Sequence, residues 1–261
     1  MTGGRRRALG QHFLRDAGIA RAIVDLAAPV PADLVVEIGP GEGALTAELA
    51  RRAGRVVALE VDAGLAARLR ARLPGVDVLE ADARTWDYGA VARPAQGRVL
   101  VVGNLPYSVS KPIVASLVAA RRALDLAVLM LQREVAERLA AAPGGKTYGA
   151  LSVLTQIYAD VRVALRVPPG AFRPPPKVES TVIVLAPLAA PRFPLGDERR
   201  FQAVVRAAFG QRRKALANAL AAGLGLPLGV TREATTRAGV EPGRRAETLH
   251  LNEFVRLAAS L

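Results

Sequence analysis

Leu34-Val35-Val36-Glu37-Ile38 is an almost unbroken apolar run, and Gly39-Pro40-Gly41-Glu42-Gly43 stops it at once. A run this short, rich in β-branched residues and bounded by glycines, reads as a buried strand, and residues 44–52 beyond it have helical spacing. The same alternation continues. Strand patterns are predicted at 55–60, 76–80, 98–103 and 126–131, with helices at 62–73, 110–121, 133–142 and 149–158. Two further β runs, 161–167 and 180–185, suit a closing antiparallel pair. Strands alternating with helices imply an α/β fold with a parallel, doubly wound sheet whose ligands sit at the carboxyl ends of the strands.

The β signal ends at a stretch rich in Pro and Ala, residues 186–194, after which 199–209, 213–222, 231–238 and 252–261 read as short amphipathic helices. The expected organisation is an α/β domain over 1–187 and a small helical domain over 188–261. There is no Cys, and His12 and His250 are the only imidazoles, so disulfides, cysteine nucleophiles and a structural zinc or iron site are not expected. Residues 1–15 lack the apolar core of a signal peptide, and no uncharged apolar run of about 18 residues follows. A soluble cytoplasmic protein without a membrane partner is expected.

The turn itself carries chemistry. Glycines between a strand and a helix let a ligand approach the backbone, and the acidic Glu60 ends the next strand, where a carboxylate can accept from both hydroxyls of a ribose. A dinucleotide fingerprint would place a glycine where Thr46 stands, so the Glu-x-Gly-x-Gly-x-Gly form fits S-adenosylmethionine enzymes better. Asp82 follows the third strand and can accept from an adenine amine; a helix N-cap is its structural alternative. After the fourth strand comes Asn104-Leu105-Pro106-Tyr107. An amide carbonyl, a main-chain carbonyl freed by the following proline and an aromatic face can together hold a planar amine. Its lone pair would then point at a methyl donor by positioning rather than by a strong base.

Six ordered motifs resemble the small-subunit ribosomal RNA adenine N6,N6-dimethyltransferases. They are Gly10-Gln11-His12-Phe13-Leu14, Glu37-Ile38-Gly39-Pro40-Gly41, Asn104-Leu105-Pro106-Tyr107, the helix from Gln132 to Leu139, Phe172 to Ser180, and Phe209 to Lys214. The resemblance spans nearly the whole chain and implies a Rossmann-like class I S-adenosylmethionine methyltransferase sheet with a small C-terminal helical domain. It implies that His12 and Leu14 bind the donor, with Gly39 under its methionine part, Glu60 on the ribose, Asp82 on the adenine and Asn104 beside the methyl group. Many members have Asn where this chain has His12. Tyr107 would stack on the target adenine with Phe172 on its other face, an aromatic sandwich of the kind that holds a flipped base. Core packing is the alternative for Phe172. No metal is expected, because a sulfonium already makes its methyl electrophilic.

Charge completes the reading. The net charge is +13, with Arg supplying 32 of the 36 basic residues. Residues 1–15 hold +4 and residues 192–261 hold +6, leaving the long middle nearly balanced. Arg forks suit bidentate phosphate contacts, although coding bias also favours Arg over Lys. Arg5, Arg6 and Arg7 at one end, and Arg212, Arg213 and Lys214 at the other, are expected to grip RNA. The expected partner is small-subunit ribosomal RNA within an assembling 30S subunit, and the expected state a monomer. Two alternatives are a macrolide-resistance-type methylase of large-subunit RNA and a non-catalytic RNA-binding assembly factor. The intact Glu60, Asp82, Asn104 and Tyr107 set argues against the second.

Overall fold

The computed structural model describes residues 11–211 and 213–261. In chain order the first elements are β1 (Phe13–Leu14), α1 (Ala17–Ala27), β2 (Leu34–Ile38), α2 (Ala44–Leu49), β3 (Arg55–Glu60), α3 (Ala63–Arg72) and β4 (Asp77–Glu80). There follow β5 (Val99–Asn104), α4 (Ser110–Ala119), β6 (Leu126–Gln132), α5 (Arg133–Leu139), α6 (Ala150–Gln156), β7 (Ala159–Val167), β8 (Phe172–Arg173) and β9 (Ser180–Pro187). The chain ends in α7 (Glu198–Gly210), α8 (Leu216–Leu224), α9 (Leu228–Arg237) and α10 (Leu251–Ser260).

Seven strands form one sheet in the order β4-β3-β2-β5-β6-β9-β7. All five residues of β2 are buried, the pattern of a parallel strand covered on both faces. It pairs in parallel with β3 and β5, Val36 lying opposite Val57 on one side and Val101 on the other. The chain order reverses between β2 and β5, so their carboxyl ends open a crevice. On the far side β9 runs antiparallel to β6, with β7 beyond it at the edge. A second, two-stranded sheet pairs β1 with β8, Leu14 opposite Phe172. Strands this short leave no periodicity to read, which is why the sequence pattern did not predict them.

Contacts divide the chain into two compact units. The described part of the first runs to Ala136 and resumes over Asp160–Ala189, and the second is Glu137–Ala159 with Ala190–Leu261. The helical unit therefore takes in 137–159, which the alternation of strands and helices assigns to the α/β domain. Periodicity shows that a helix has an apolar face, not which core that face joins. In this case Tyr148 is fully buried edge-on against Phe209, their ring centroids 6.0 Å apart, and Phe209 packs on Phe254 at 5.6 Å. Main-chain bonds add to this, Gly144 N–H donating to Glu247 O at 2.7 Å and Arg192 N–H to Ile157 O at 2.7 Å.

One buried acid fixes the amino ends of the two central strands. Asp33, just before β2, accepts from Val30 N–H at 3.0 Å, Arg98 N–H at 2.8 Å and Arg98 Nη2 at 2.6 Å. Burial alone would raise its carboxyl; the bonds from Arg98 outweigh that and hold it below the usual range. Replacing Asp33 by Ala strands these donors. A loss of about 2–3 kcal/mol is expected in urea-unfolding free energy.

Candidate active site

The carboxyl ends of β2, β3, β4 and β5 surround a cavity of about 490 Å³. Its floor is the turn after β2, where Gly39 and Gly41 both have left-handed backbone, with φ of 66° and 56°. A side chain is strained there in any case. At Gly41 it would also collide, since a Cβ would lie 2.9 Å from the Phe13 ring, and at Gly39 it would lie 3.6 Å from the Asn104 carbonyl oxygen.

Three acids reach this cavity from successive strand ends. Glu60, only 3% exposed, accepts from Gly41 N–H at 3.1 Å and Asp62 N–H at 3.0 Å. Burial raises its carboxyl, and those amides act against the rise. Asp82 accepts from the main chain and guanidinium of Arg84, and chiefly for that reason is held below the usual carboxylate range. Its Oδ1 takes the Arg84 amide at 2.9 Å, so the capping geometry noted as an alternative is present as a local turn. Glu37 is the third, and the sequence reading did not single it out. The signal was available: a lone acid inside an otherwise apolar strand. It is 1% exposed, and its Oε2 has no hydrogen-bond partner. Among the described residues, Arg84 is the only Lys or Arg lining the cavity, against Glu37, Glu42, Glu60 and Asp82. Such a donor set fits a cationic nucleoside, a sulfonium with its ammonium, and the turn glycines leave the room it needs.

Asn104 ends β5 and lines the same cavity. Its Nδ2 donates to the main-chain oxygen of His12 at 3.0 Å, which turns Oδ1 into the remaining acceptor of the amide. The His12 ring is fixed separately. A carbonyl can only accept, so Nδ1 donates its proton to Pro174 O at 2.7 Å. That ring lies 5.6 Å from Tyr107, tilted by 38°. The Tyr107 hydroxyl meets Ser180 Oγ at 2.9 Å, and Ser110 Oγ donates to the Tyr107 carbonyl at 3.2 Å. The N-terminal segment, the Asn104 turn and the start of β9 are thus joined.

The structure brings His12, Leu14, Gly39, Glu60, Asp82, Asn104, Leu105, Pro106 and Tyr107 to one cavity. It does not bring Phe172 there. That ring is 5% exposed within the hydrophobic core, while its strand partner Leu14 lines the cavity, so core packing is its observed role. Arg213 and Lys214 are exposed, but in the turn after α7 rather than in a helix, because α8 begins only at Leu216. They therefore follow the carboxyl end of a helix, where cations are favoured. Arg5, Arg6, Arg7 and Arg212 lie outside the described residues.

Burial pushes the Glu37 carboxyl up to about 8; Thr46 acts against this and the Glu60 charge adds to it. The folded protein thus holds a proton that the unfolded chain releases near 4.5. Stability from this group is complete below about 4.5 and is lost as pH rises through about 8. Glu37→Gln should flatten that decline in unfolding free energy, measured in denaturant between pH 5 and pH 9 (roughly the window those values bracket).

The family model described as ribosomal RNA adenine dimethylase matches residues 4–261. Ribosomal RNA small subunit methyltransferase A of Geobacter sulfurreducens is 44% identical over 265 residues, covering 98% of this chain and 95% of that protein. Among solved structures, a dimethyladenosine transferase from Plasmodium falciparum superposes with a TM-score of 0.79 at 24% identity, over 94% of this chain and 96% of that one. The 23S rRNA methyltransferase ErmE gives 0.71 at 29% identity, over 95% and 99%. The first of these structures speaks for the fold alone; the family match and the sequence relative speak for more. The chain belongs to the ribosomal RNA adenine dimethylase family, S-adenosylmethionine-dependent methyltransferases that act on ribosomal RNA.

Proposed function

We propose that this enzyme dimethylates N6 of two adjacent adenosines in the 3′-terminal hairpin of small-subunit ribosomal RNA. In this reading it acts as a cytoplasmic monomer on an assembling 30S subunit. The observation that carries the chemistry is the Asn104 amide. With Nδ2 committed to the His12 carbonyl oxygen, Oδ1 is left to accept a hydrogen from an exocyclic amine. The small-subunit choice is supported by relatives 41–46% identical over nearly the whole chain that carry that name.

Bound S-adenosylmethionine supplies an electrophilic methyl group on a sulfonium. Glu60 is assigned to the ribose hydroxyls through lone pairs that Gly41 and Asp62 leave unused, Asp82 to the adenine amine, and Gly39 with the His12–Leu14 segment to the methionine part. Asn104 Oδ1 and the Leu105 carbonyl hold the target N6 while Tyr107 stacks on its ring. The N6 lone pair forms the new bond to carbon as the carbon–sulfur bond breaks and sulfur keeps the electron pair. The nitrogen then loses a proton to solvent. Neither acceptor need be a strong base, since position and dipole lower the barrier. Arg213 and Lys214, with Arg5, Arg6, Arg7 and Arg212, are assigned to RNA phosphates.

Labelled S-adenosylmethionine, small subunits lacking the modification and large subunits give the test. Label should enter adjacent adenosines of small-subunit RNA; label confined to large-subunit RNA would overturn the assignment. Asn104→Ala should cut transfer by about 100-fold or more while RNA affinity changes little. Arg213→Glu with Lys214→Glu should do the opposite, weakening RNA binding and reducing its salt slope by roughly 1–2 in a filter-binding titration.

A further inference from the structure

Asp82 is assigned above to the adenine amine of the methyl donor, yet its carboxylate is already engaged. Oδ1 accepts from the Arg84 amide at 2.9 Å and Arg84 Nε at 3.0 Å; Oδ2 accepts from Nε at 3.0 Å and Nη2 at 2.5 Å. A carboxylate offers about four lone-pair sites, and the Arg84 amide, the shared Nε–H and Nη2–H take about three of them. A new donor therefore competes with the guanidinium, which faces both oxygens. The guanidinium has solvent on its open side. The Arg84 side chain is 51% exposed, and its main chain is held in place independently, Ser116 Oγ donating to the Arg84 carbonyl at 3.0 Å. Among the described residues it is also the only Lys or Arg lining a cavity otherwise furnished with acids.

The geometry points to Arg84 as an intramolecular competitor for the adenine amine, a latch on Asp82 that sets how tightly the methyl donor and its product are held. This rests on the donor-site reading of Asp82. Each binding event exchanges the ion pair for the amine contact, so the donor gains only the difference. Arg84 therefore weakens the hold on product as much as on donor. Because the competitor is an exposed pair, its effect is modest, on the scale of surface ion pairs.

Titration calorimetry with S-adenosylhomocysteine, and with the analogue bearing hydrogen at purine C6, separates the possibilities. Arg84→Ala, and Arg84→Gln beside it, should bind S-adenosylhomocysteine about two- to fivefold more tightly than the parent protein, with affinity for the C6-hydrogen analogue unchanged. Asp82→Ala should bind the two ligands alike. Weaker binding of S-adenosylhomocysteine by the Arg84 variants, no change, or equal tightening of both ligands would overturn the latch while leaving the donor site standing, provided Asp82→Ala loses the preference. A preference for the amine that survives in Asp82→Ala would instead remove Asp82 from the donor site, and the latch with it.

Discussion

A single buried carboxylate holds the two halves of the cavity floor in register. Glu60 ends β3, yet its oxygens accept the amides of Gly41 and Asp62, one from the turn after β2 and one from the start of α3. The turn can present itself this way because Gly39 and Gly41 adopt backbone that a side chain would strain. Loss of the carboxylate would leave two amides without partners at the point where a ligand must approach. The cost of burying the acid is set against those two bonds, and the same acid keeps lone pairs for whatever enters the cavity.

The other wall is built from far along the chain. β1 pairs with β8, the His12 ring bonds to Pro174, and Tyr107 bonds to Ser180. Residues near 12, 107 and 175 thus share one surface although each comes from a different connecting segment outside the strands. Phe172, buried behind its strand partner Leu14, supports that surface instead of lining it. Position, not reactivity, is what such a site supplies, and position depends on these cross-links.

Much of this was legible in the residues. Buried parallel strands announce themselves as apolar runs, and glycines at a strand end announce a turn that a ligand can approach, so β2, β3 and β5 are legible from pattern alone, as is the convergence of Gly39, Glu60, Asp82 and Asn104 on one cavity. What pattern could not give was anything held by tertiary contact. The β1–β8 pair is too short to have a period, the apolar face of α6 does not name the core it joins, and Phe172 looks the same in sequence whether it stacks or packs. Glu37 is hidden for a different reason: as the first letter of the Glu-x-Gly-x-Gly-x-Gly form it does not show in sequence that its oxygen is buried and unsatisfied. Arg84 was invisible as well, since only the folded turn folds its guanidinium back onto Asp82.

The bond from Asn104 to residue 12 ends on a main-chain oxygen. Every amino acid provides that atom, so the contact that orients the amide is indifferent to which side chain follows it. The His12 ring has a separate task, bracing the wall beside Tyr107 through its bond to Pro174, while the amide needs only the main-chain oxygen. The site thereby separates what must stay constant from what is free to drift: geometry is written into the backbone, and the side chain at position 12 can change under other pressures without disturbing it.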